Sequence, residues 1–270
     1  MDLWLVDLDG DGPAGAADAG GPSGAAVAGG PSEAAGDAAA GGTAPFGRAR
    51  LTEEEQQRGR AFLDATGARR FRRSRLAVRD LLGRRLGVPP AELRLAYTPL
   101  GKPYLPDHPG LHVSWSRSGP LLLVGAAGNG PLGVDIERLR PVPAALSVLA
   151  TMYPALPAAA APAAFFPAWT LLEASVKATG RGLDRGAREV RLGFAPGGGV
   201  TLRGISGHGP RPWHGRTAPL PSRDGSPAAV AAVVTQGGPV PPDALGRWPT
   251  AYPWRRATPA RTDATESERT

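Results

Sequence analysis

Asp135 and Glu137 stand on either side of Ile136 in the segment PLGVDIERLRP, directly after the apolar Leu132, Gly133 and Val134. Side chains alternate between the faces of a strand, so these two acids share one face while Ile136 points the other way. Paired carboxylates of this kind can bind Mg²⁺, with Mn²⁺ as an alternative. Such an ion takes oxygen ligands at about 2.0–2.1 Å and commonly combines one or two carboxylates with substrate phosphates and water. A third carboxylate from a separate element would close a protein half-shell. Glu173, in FFPAWTLLEASVKATG, is the candidate, because a free charge is costly to bury in an apolar helix. Lys177 lies four residues further on, one helical turn away. The plainer alternatives are a fraying, solvent-facing strand end for the acids and a surface ion pair worth ~0.2–0.5 kcal/mol for Glu173 and Lys177. Spacing alone leaves both readings open.

Basic residues near such an ion would suit a phosphorylated substrate, since charge-assisted contacts orient a phosphate and offset its charge. Of 31 basic residues only two are Lys, at positions 102 and 177, and Lys102 occupies the turn-like GKPYLP. Residues 48–94 hold 13 Arg against 6 acidic residues, with Arg69, Arg70, Arg72 and Arg73 clustered. The formal net charge of +7 fits a nucleic acid, a membrane surface or a small polyanion equally well. His108, His112, His208 and His214 lack metal-ligand spacing. No Gly-rich phosphate loop precedes a helix, which disfavours a P-loop enzyme.

The elements that must position these groups read as follows. WLVDLD at the N-terminus reads as a strand, and LTEEEQQRGRAFL as a helix opened by a Thr52/Glu55 capping box. RRFRRSRLAVRDLLGRRLG carries one apolar face of Phe71, Val78, Leu81, Leu82 and Leu86, with Arg69, Arg72, Arg73 and Arg79 on the others. A short strand is expected at Leu93 and Leu95. LHVSWS alternates His112, Ser114 and Ser116 against Val113 and Trp115. LLLVGAA, the turn at Asn129 and Gly130, and LGVDIE together predict a hairpin. A loose helix or loops are expected around Leu146–Tyr153, then a helix with Pro167 in its first turn and Gly180 at its end. VRLGFA and Ala229–Val234 resume the sheet. The alternation predicts a mixed α and β body.

From Asp9 to Ala44 the chain is nearly all Gly, Ala, Pro, Ser and Asp, too poor in apolar groups to offset the entropy of ordering it. Residues 1–8 are expected to join the body, 9–44 to form a low-complexity insert, and 238–270 a flexible tail in which Trp248 and Trp254 could dock. There is no Cys, which excludes disulfides and thiolate metal sites. No stretch approaches the ~20 apolar residues of a membrane span, and the N-terminus lacks a signal-peptide pattern, so a cytoplasmic protein without a membrane partner is expected.

Taken together, GKPYLP at 101–106, VSWS at 113–116, GVDIE at 133–137 and WTLLEASVKATGRGL at 169–183 resemble the 4'-phosphopantetheinyl transferase superfamily. The likeness is to its broad-specificity, surfactin-synthetase-activating type, and it runs from about Leu51 to Gly182, more weakly to Val234. It implies an α+β fold of two similar α/β halves in a pseudo-two-fold arrangement, with mixed or antiparallel sheets and packed helices. The halves would span 45–138 and 139–237 with the site between them, in a monomer. The implied reaction moves the phosphopantetheine of coenzyme A onto a serine of an apo acyl or peptidyl carrier protein, in polyketide and nonribosomal peptide biosynthesis. By the same resemblance Asp135, Glu137 and Glu173 hold the metal, and Glu173 and Lys177 serve catalysis. Coenzyme A is met by Lys102, Ser114, Trp115, Ser116, Asp135 and Lys177, with Arg70 and Arg73 beside the nucleotide. Two positions depart from the pattern: Leu172 replaces a lysine, and Trp115 a histidine that contacts phosphate. Those departures keep open a degenerate transferase that only binds coenzyme A or a carrier, and the Arg-rich helix keeps open a nucleic-acid-binding protein. The transferase reading itself expects no nucleic-acid partner.

Overall fold

The computed structural model describes residues 1–9, 49–141, 151, 161–195, 198–221, 227–241 and 244–245. The expected insert beyond Asp9, the segment around Leu146–Tyr153 apart from Thr151, and Trp248 and Trp254 lie outside them.

Strand β1 (Asp2–Asp7) is antiparallel to β5 (Leu121–Ala127), which is antiparallel to β4 (His112–Ser118), giving the order β1-β5-β4. A second antiparallel sheet has the order β6 (Leu132–Arg138), β10 (Pro227–Thr235), β9 (His214–Pro221). Two small hairpins, β2 (Ala96–Tyr97) with β3 (Pro103–Tyr104) and β7 (Val190–Phe194) with β8 (Val200–Ile205), complete the strands. Helices α1 (Glu53–Arg60) and α2 (Ala65–Leu86) belong with the first sheet, and α3 (Ala161–Thr179) and α4 (Leu183–Glu189) with the second. Each three-stranded sheet thus places its first strand beside its last, with helix and small hairpin inserted after the first strand. The class is α+β with antiparallel sheets.

Local chemistry explains the helix boundaries. Thr52 Oγ1 accepts from the Glu55 amide, and Glu55 returns the bond to the Thr52 amide at 3.0 Å, as the capping box predicts. Asp64 caps α2 through the Gly67 amide, and Gly87 ends it at φ +70, a conformation that a side chain would strain. Arg79 departs from its expected place on a polar face. It is buried, donating to Glu55 at 3.2 Å and to the Leu93 carbonyl at 2.7 Å, and so ties α1 to α2.

The core is layered. Val78, Leu81 and Leu82 of α2 pack on Trp4, Val6, Val113, Leu122 and Val124 of the first sheet. The opposite face of that sheet, with Leu3 and Leu123, meets Leu132, Val134, Ile136, Ala231 and Val233 of the second. Leu171, Leu172 and Val176 of α3 cover the far side of β10 at Ala232 and Val234. Period-two alternation along β10 therefore divides that strand between two cores.

Several expectations are corrected. LLLVGAA and LGVDIE do not form a hairpin: β5 pairs with β1 and β4, while β6 crosses to β10, so Asn129 and Gly130 link two sheets. For the same reason β6 belongs to the second sheet. The strand expected at Leu93 and Leu95 begins only at Ala96. Helix α3 starts at Ala161, which puts Pro167 inside it rather than in its first turn. Val240 and Leu245 lie in the core between the sheets, so the folded body continues past Gly238.

Candidate functional site

The two halves meet where β4 lies alongside the open edge of β6, and serine hydroxyls make the join. Ser114 Oγ accepts from the Val134 amide at 3.1 Å and Ser118 Oγ from the Arg138 amide at 3.0 Å. Both strand amides are thereby satisfied without a backbone ladder. Between them, Ser116 Oγ donates to Asp135 Oδ1 at 2.6 Å, and Ser118 Oγ donates to Glu137 at 2.9 Å. Asp135 and Glu137 share a face, as the strand pattern predicts, with Ile136 in the core behind them.

Helix α3 reaches these acids because Gly133 has no side chain. A Cβ there would collide with the Ala174 carbonyl oxygen and the Ala178 amide nitrogen, so the helix backbone rests directly on β6. One turn of α3 then brings Glu173 and Lys177 to the carboxylates. Lys177 Nζ donates to Asp135 Oδ1 at 2.6 Å and to Ser116 Oγ at 2.9 Å. Asp135 is buried, and its Oδ2 has no hydrogen-bond partner. Burial pushes its carboxyl above the usual range, and Lys177 and Ser116 hold back part of that shift. Glu137 accepts from Arg140 at 2.8 Å. Glu173 is half-buried and has no hydrogen bond among the described residues. Its carboxyl is also raised, by burial first, with Lys177 opposing and Asp135 and Glu137 adding repulsion. Among the described residues no three His, Cys, Asp or Glu side chains converge tightly enough to form a ready metal cage. The unpartnered Asp135 oxygen and the unpaired Glu173 are nevertheless acceptors without donors, which suits a cation beside them.

A cavity of about 380 Å³ adjoins Lys177 and extends into the N-terminal half, past Ser114, Trp115 and Lys102 to Arg58, Arg75 and Tyr97. Lys102 lines the cavity while its ammonium is held by backbone. Its Nζ donates to the carbonyls of Lys177 at 2.6 Å, Ala178 at 2.7 Å and Leu132 at 3.3 Å, which occupies all three protons and fastens the β2–β3 turn to α3 and β6. Burial lowers it to about 8. The Lys177 and Ala178 carbonyls, at the negative end of α3, pull the other way. Ser114 lines the cavity while holding the seam, and Ser116 sits with Asp135 and Lys177.

Arg70 and Arg73 are not brought to this cavity. Arg70 pairs with Asp9, holding that carboxyl below its usual range, and Arg73 donates to the Leu8 carbonyl at 2.5 Å, so both secure the end of β1. Arg58, Arg75 and Tyr97 line it instead. The only local signal for Arg75 is that it follows Phe71 by four residues. Leu172, the residue in the lysine position of the family pattern, is fully buried in the core under α3.

Residues 131–233, which contain β6 and α3, match the 4'-phosphopantetheinyl transferase superfamily. A Synechocystis sp. protein named for that activity is 33% identical over 158 residues, covering 54% of this chain and 63% of the relative. The transferase HetI of Nostoc sp. is 31% identical over 159 residues, covering 55% of this chain and 67% of the relative. This chain belongs to the superfamily. The Sfp transferase of Bacillus subtilis is more distant, 26% identical over 140 residues, covering 50% of this chain and 62% of the relative. The chain thus spans about two thirds or less of the length of these curated relatives. No described helix is long and apolar enough to cross a membrane.

Proposed function

We propose that this protein transfers the 4'-phosphopantetheine group of coenzyme A to a serine hydroxyl of an apo acyl or peptidyl carrier protein, releasing adenosine 3',5'-bisphosphate. It acts as a monomer in the cytoplasm, in polyketide and nonribosomal peptide biosynthesis, without nucleic acid or membrane partners. The observation that carries this reading is Asp135, Glu173 and Lys177 standing together at the seam, beside a basic cavity, in a member of this superfamily.

Asp135, Glu137 and Glu173 would hold Mg²⁺, or Mn²⁺ in its place; the electrostatic influence of Asp135 and Glu137 on Glu173 supports that grouping. Such an ion supplies Lewis-acid withdrawal of charge from the pyrophosphate. Lys177, between Asp135 and the cavity, meets the pyrophosphate oxygens and orients them. Glu173 has a raised affinity for a proton and accepts the one on the acceptor serine, directly or through water. As the serine Oγ bonds to the β-phosphorus, the bond from that phosphorus to the oxygen of adenosine 3',5'-bisphosphate breaks. The Ser116 contact fixes Asp135 so that its second oxygen stays available.

Incubation with Mg²⁺, coenzyme A and an apo carrier protein, read by mass spectrometry, tests the proposal. The expected result is a carrier heavier by one phosphopantetheine, lost on chelation and in Asp135→Ala. Coenzyme A bound with no adduct on several carrier types would instead indicate a binding protein. Salt-sensitive binding to nucleic acid with indifference to coenzyme A would overturn both.

A further inference from the structure

Just past the end of α3, the cavity is walled by the backbone turn Gly180-Arg181-Gly182, whose two glycines line it next to Lys177. Both glycines have φ +71, in the left-handed region where a side chain would be strained. A Cβ on Gly180 would also meet Lys102 Cδ at 2.7 Å, so the turn fits closely over the Lys102 stem. Glycines leave such a turn free to move, and of its three residues only Arg181 has a side chain that can fix it.

The Arg181 guanidinium is tied to the elements behind the wall. Its Nη1 donates to Glu189 Oε1 at 3.3 Å, and its Nη2 donates to the Gly207 carbonyl at 3.4 Å. Glu189 is the last residue of α4, which packs closely on α3: a Cβ on Gly186 would lie 3.3 Å from both methyls of Val176, another residue lining the cavity. The Glu189 carboxylate also meets His208 Nε2 at 3.1 Å and Arg185 Nε at 3.6 Å. The Arg185 side chain is 75% exposed, so water screens its share, whereas His208 is 15% exposed. His208 is itself seated. Its ring meets Trp213 edge-on with centroids 5.7 Å apart, and its carbonyl accepts from Gln236 Nε2 at 3.1 Å. The Gln236 amide donates to the Pro131 carbonyl at 3.2 Å, directly before β6. The carboxylate that holds Arg181 therefore rests on the β8–β9 connection and the end of β10, as well as on α4.

We infer that Arg181 and Glu189 are positioning residues for coenzyme A: their ion pair, seated on His208, holds the Gly180–Gly182 turn as the cavity wall beside Lys177. The inference rests on the coenzyme A reading above and adds to it a pair that acts only through the turn. With the pair broken, the turn samples other conformations, and affinity falls in proportion to the fraction of molecules with the wall in place.

Calorimetric titration with coenzyme A and Mg²⁺, beside steady-state transfer to an apo carrier protein and a thermal melt, tests it on the full chain. Arg181→Ala is expected to weaken coenzyme A binding and raise the KM for coenzyme A by about 5- to 10-fold, the scale of one charge-assisted bond. Its kcat should stay within about twofold of wild type, because binding rather than the chemical step is affected. Arg181→Lys, which keeps the charge without the planar fork, should recover part of the loss. Glu189→Gln should show the same split, and carries the comparison by itself if Arg181→Ala does not fold. The double variant should be little worse than Arg181→Ala alone, since both changes remove one contact. A merely structural pair would instead lower the melting temperature and the apparent kcat at unchanged KM, because fewer molecules are folded. That result, an unchanged coenzyme A affinity in the single variants, or fully additive losses in the double variant overturns the assignment. If wild type binds coenzyme A but modifies no carrier, the transfer reading falls and the dissociation constants alone decide the positioning role. If wild type binds no coenzyme A, the coenzyme A reading falls and this inference with it.

Discussion

Arg79 with Glu55 in the N-terminal half and Lys177 with Asp135 in the C-terminal half each hold a buried carboxylate in an ion pair, and the two pairs are finished differently. In the N-terminal half, Arg79 and Glu55 have side chains only 5% and 10% exposed, and their remaining capacity is used: Glu55 caps Thr52 and Arg79 bonds the Leu93 carbonyl. In the C-terminal half, Lys177 meets Asp135, but one Asp135 oxygen is unpartnered and Glu173 beside it has no hydrogen bond among the described residues. A completed buried network rigidifies the fold, whereas an incomplete one costs stability and persists where a ligand completes it. The contrast separates a structural pair from a functional one, although both look like acid and base on neighbouring elements.

The sharpest way to break the contrast is at Arg79. Arg79→Ala leaves Glu55 buried without its partner and is expected to cost ~3–5 kcal/mol in urea unfolding. A loss under about 1 kcal/mol would remove the structural assignment. The opposite pattern is expected for Asp135→Asn. Carrier modification should fall at least about 100-fold, equivalent to ~2.7 kcal/mol of barrier, while stability stays within ~1 kcal/mol because a carboxyl disfavoured by burial has been neutralised. A stability loss like that of Arg79→Ala would make the two pairs alike.

A matched pair of glycines sharpens the same comparison at smaller scale. A Cβ on Gly133 meets the backbone of α3, which cannot move aside without lifting Glu173 and Lys177 from Asp135. A Cβ on Gly125 in the first sheet meets only the side chains of Val134, Leu132 and Leu3. Gly133→Ala is expected to cost ~1–3 kcal/mol and activity with it, and Gly125→Ala less, by thermal melts read beside the transfer assay. Equal costs would show that the close approach of α3 to β6 has no special place in the site.

The smallest effect concerns Lys102, which joins the halves. Burial lowers it from 10.5 to about 8, so between these values the unfolded chain binds more protons than the folded one. Stability should therefore rise with pH across that window, and the penalty for the buried charge is fully present below it. The three carbonyl contacts favour the charge and reduce the slope. Urea midpoints at pH 8 and pH 10 should differ in wild type, and by less in Lys102→Met; an unchanged slope in the variant would place its source elsewhere.

What could be read in advance was local. The Thr52 and Glu55 capping box and the shared face of Asp135 and Glu137 depend on residues within one turn or one strand, so their geometry follows from backbone periodicity. Glu173 and Lys177 on one helical turn were legible for the same reason. The misreadings arose where partners are distant. LGVDIE looked like the second arm of a hairpin because Asn129 and Gly130 suit a turn, yet its ladder partner is β10, about ninety residues downstream. Arg79 looked exposed because helical spacing says nothing about a neighbouring carboxylate. Arg70 and Arg73 were set beside the nucleotide by resemblance alone, and their contacts with Asp9 and the Leu8 carbonyl at the end of β1 are equally distant in the chain.

By itself, then, the sequence determined which residue types carry the chemistry and which of them share a strand face or a helix turn. Family membership was legible there too, because the order and distances of four short motifs survive without coordinates. Only the tertiary structure decided which charges are neutralised. Lys102 ends on helix carbonyls, Lys177 on Asp135, and Arg75 between two rings, according to how the sheets and helices pack. Partners of this kind are separated by many residues in the chain, and a side chain's role depends on the group it meets.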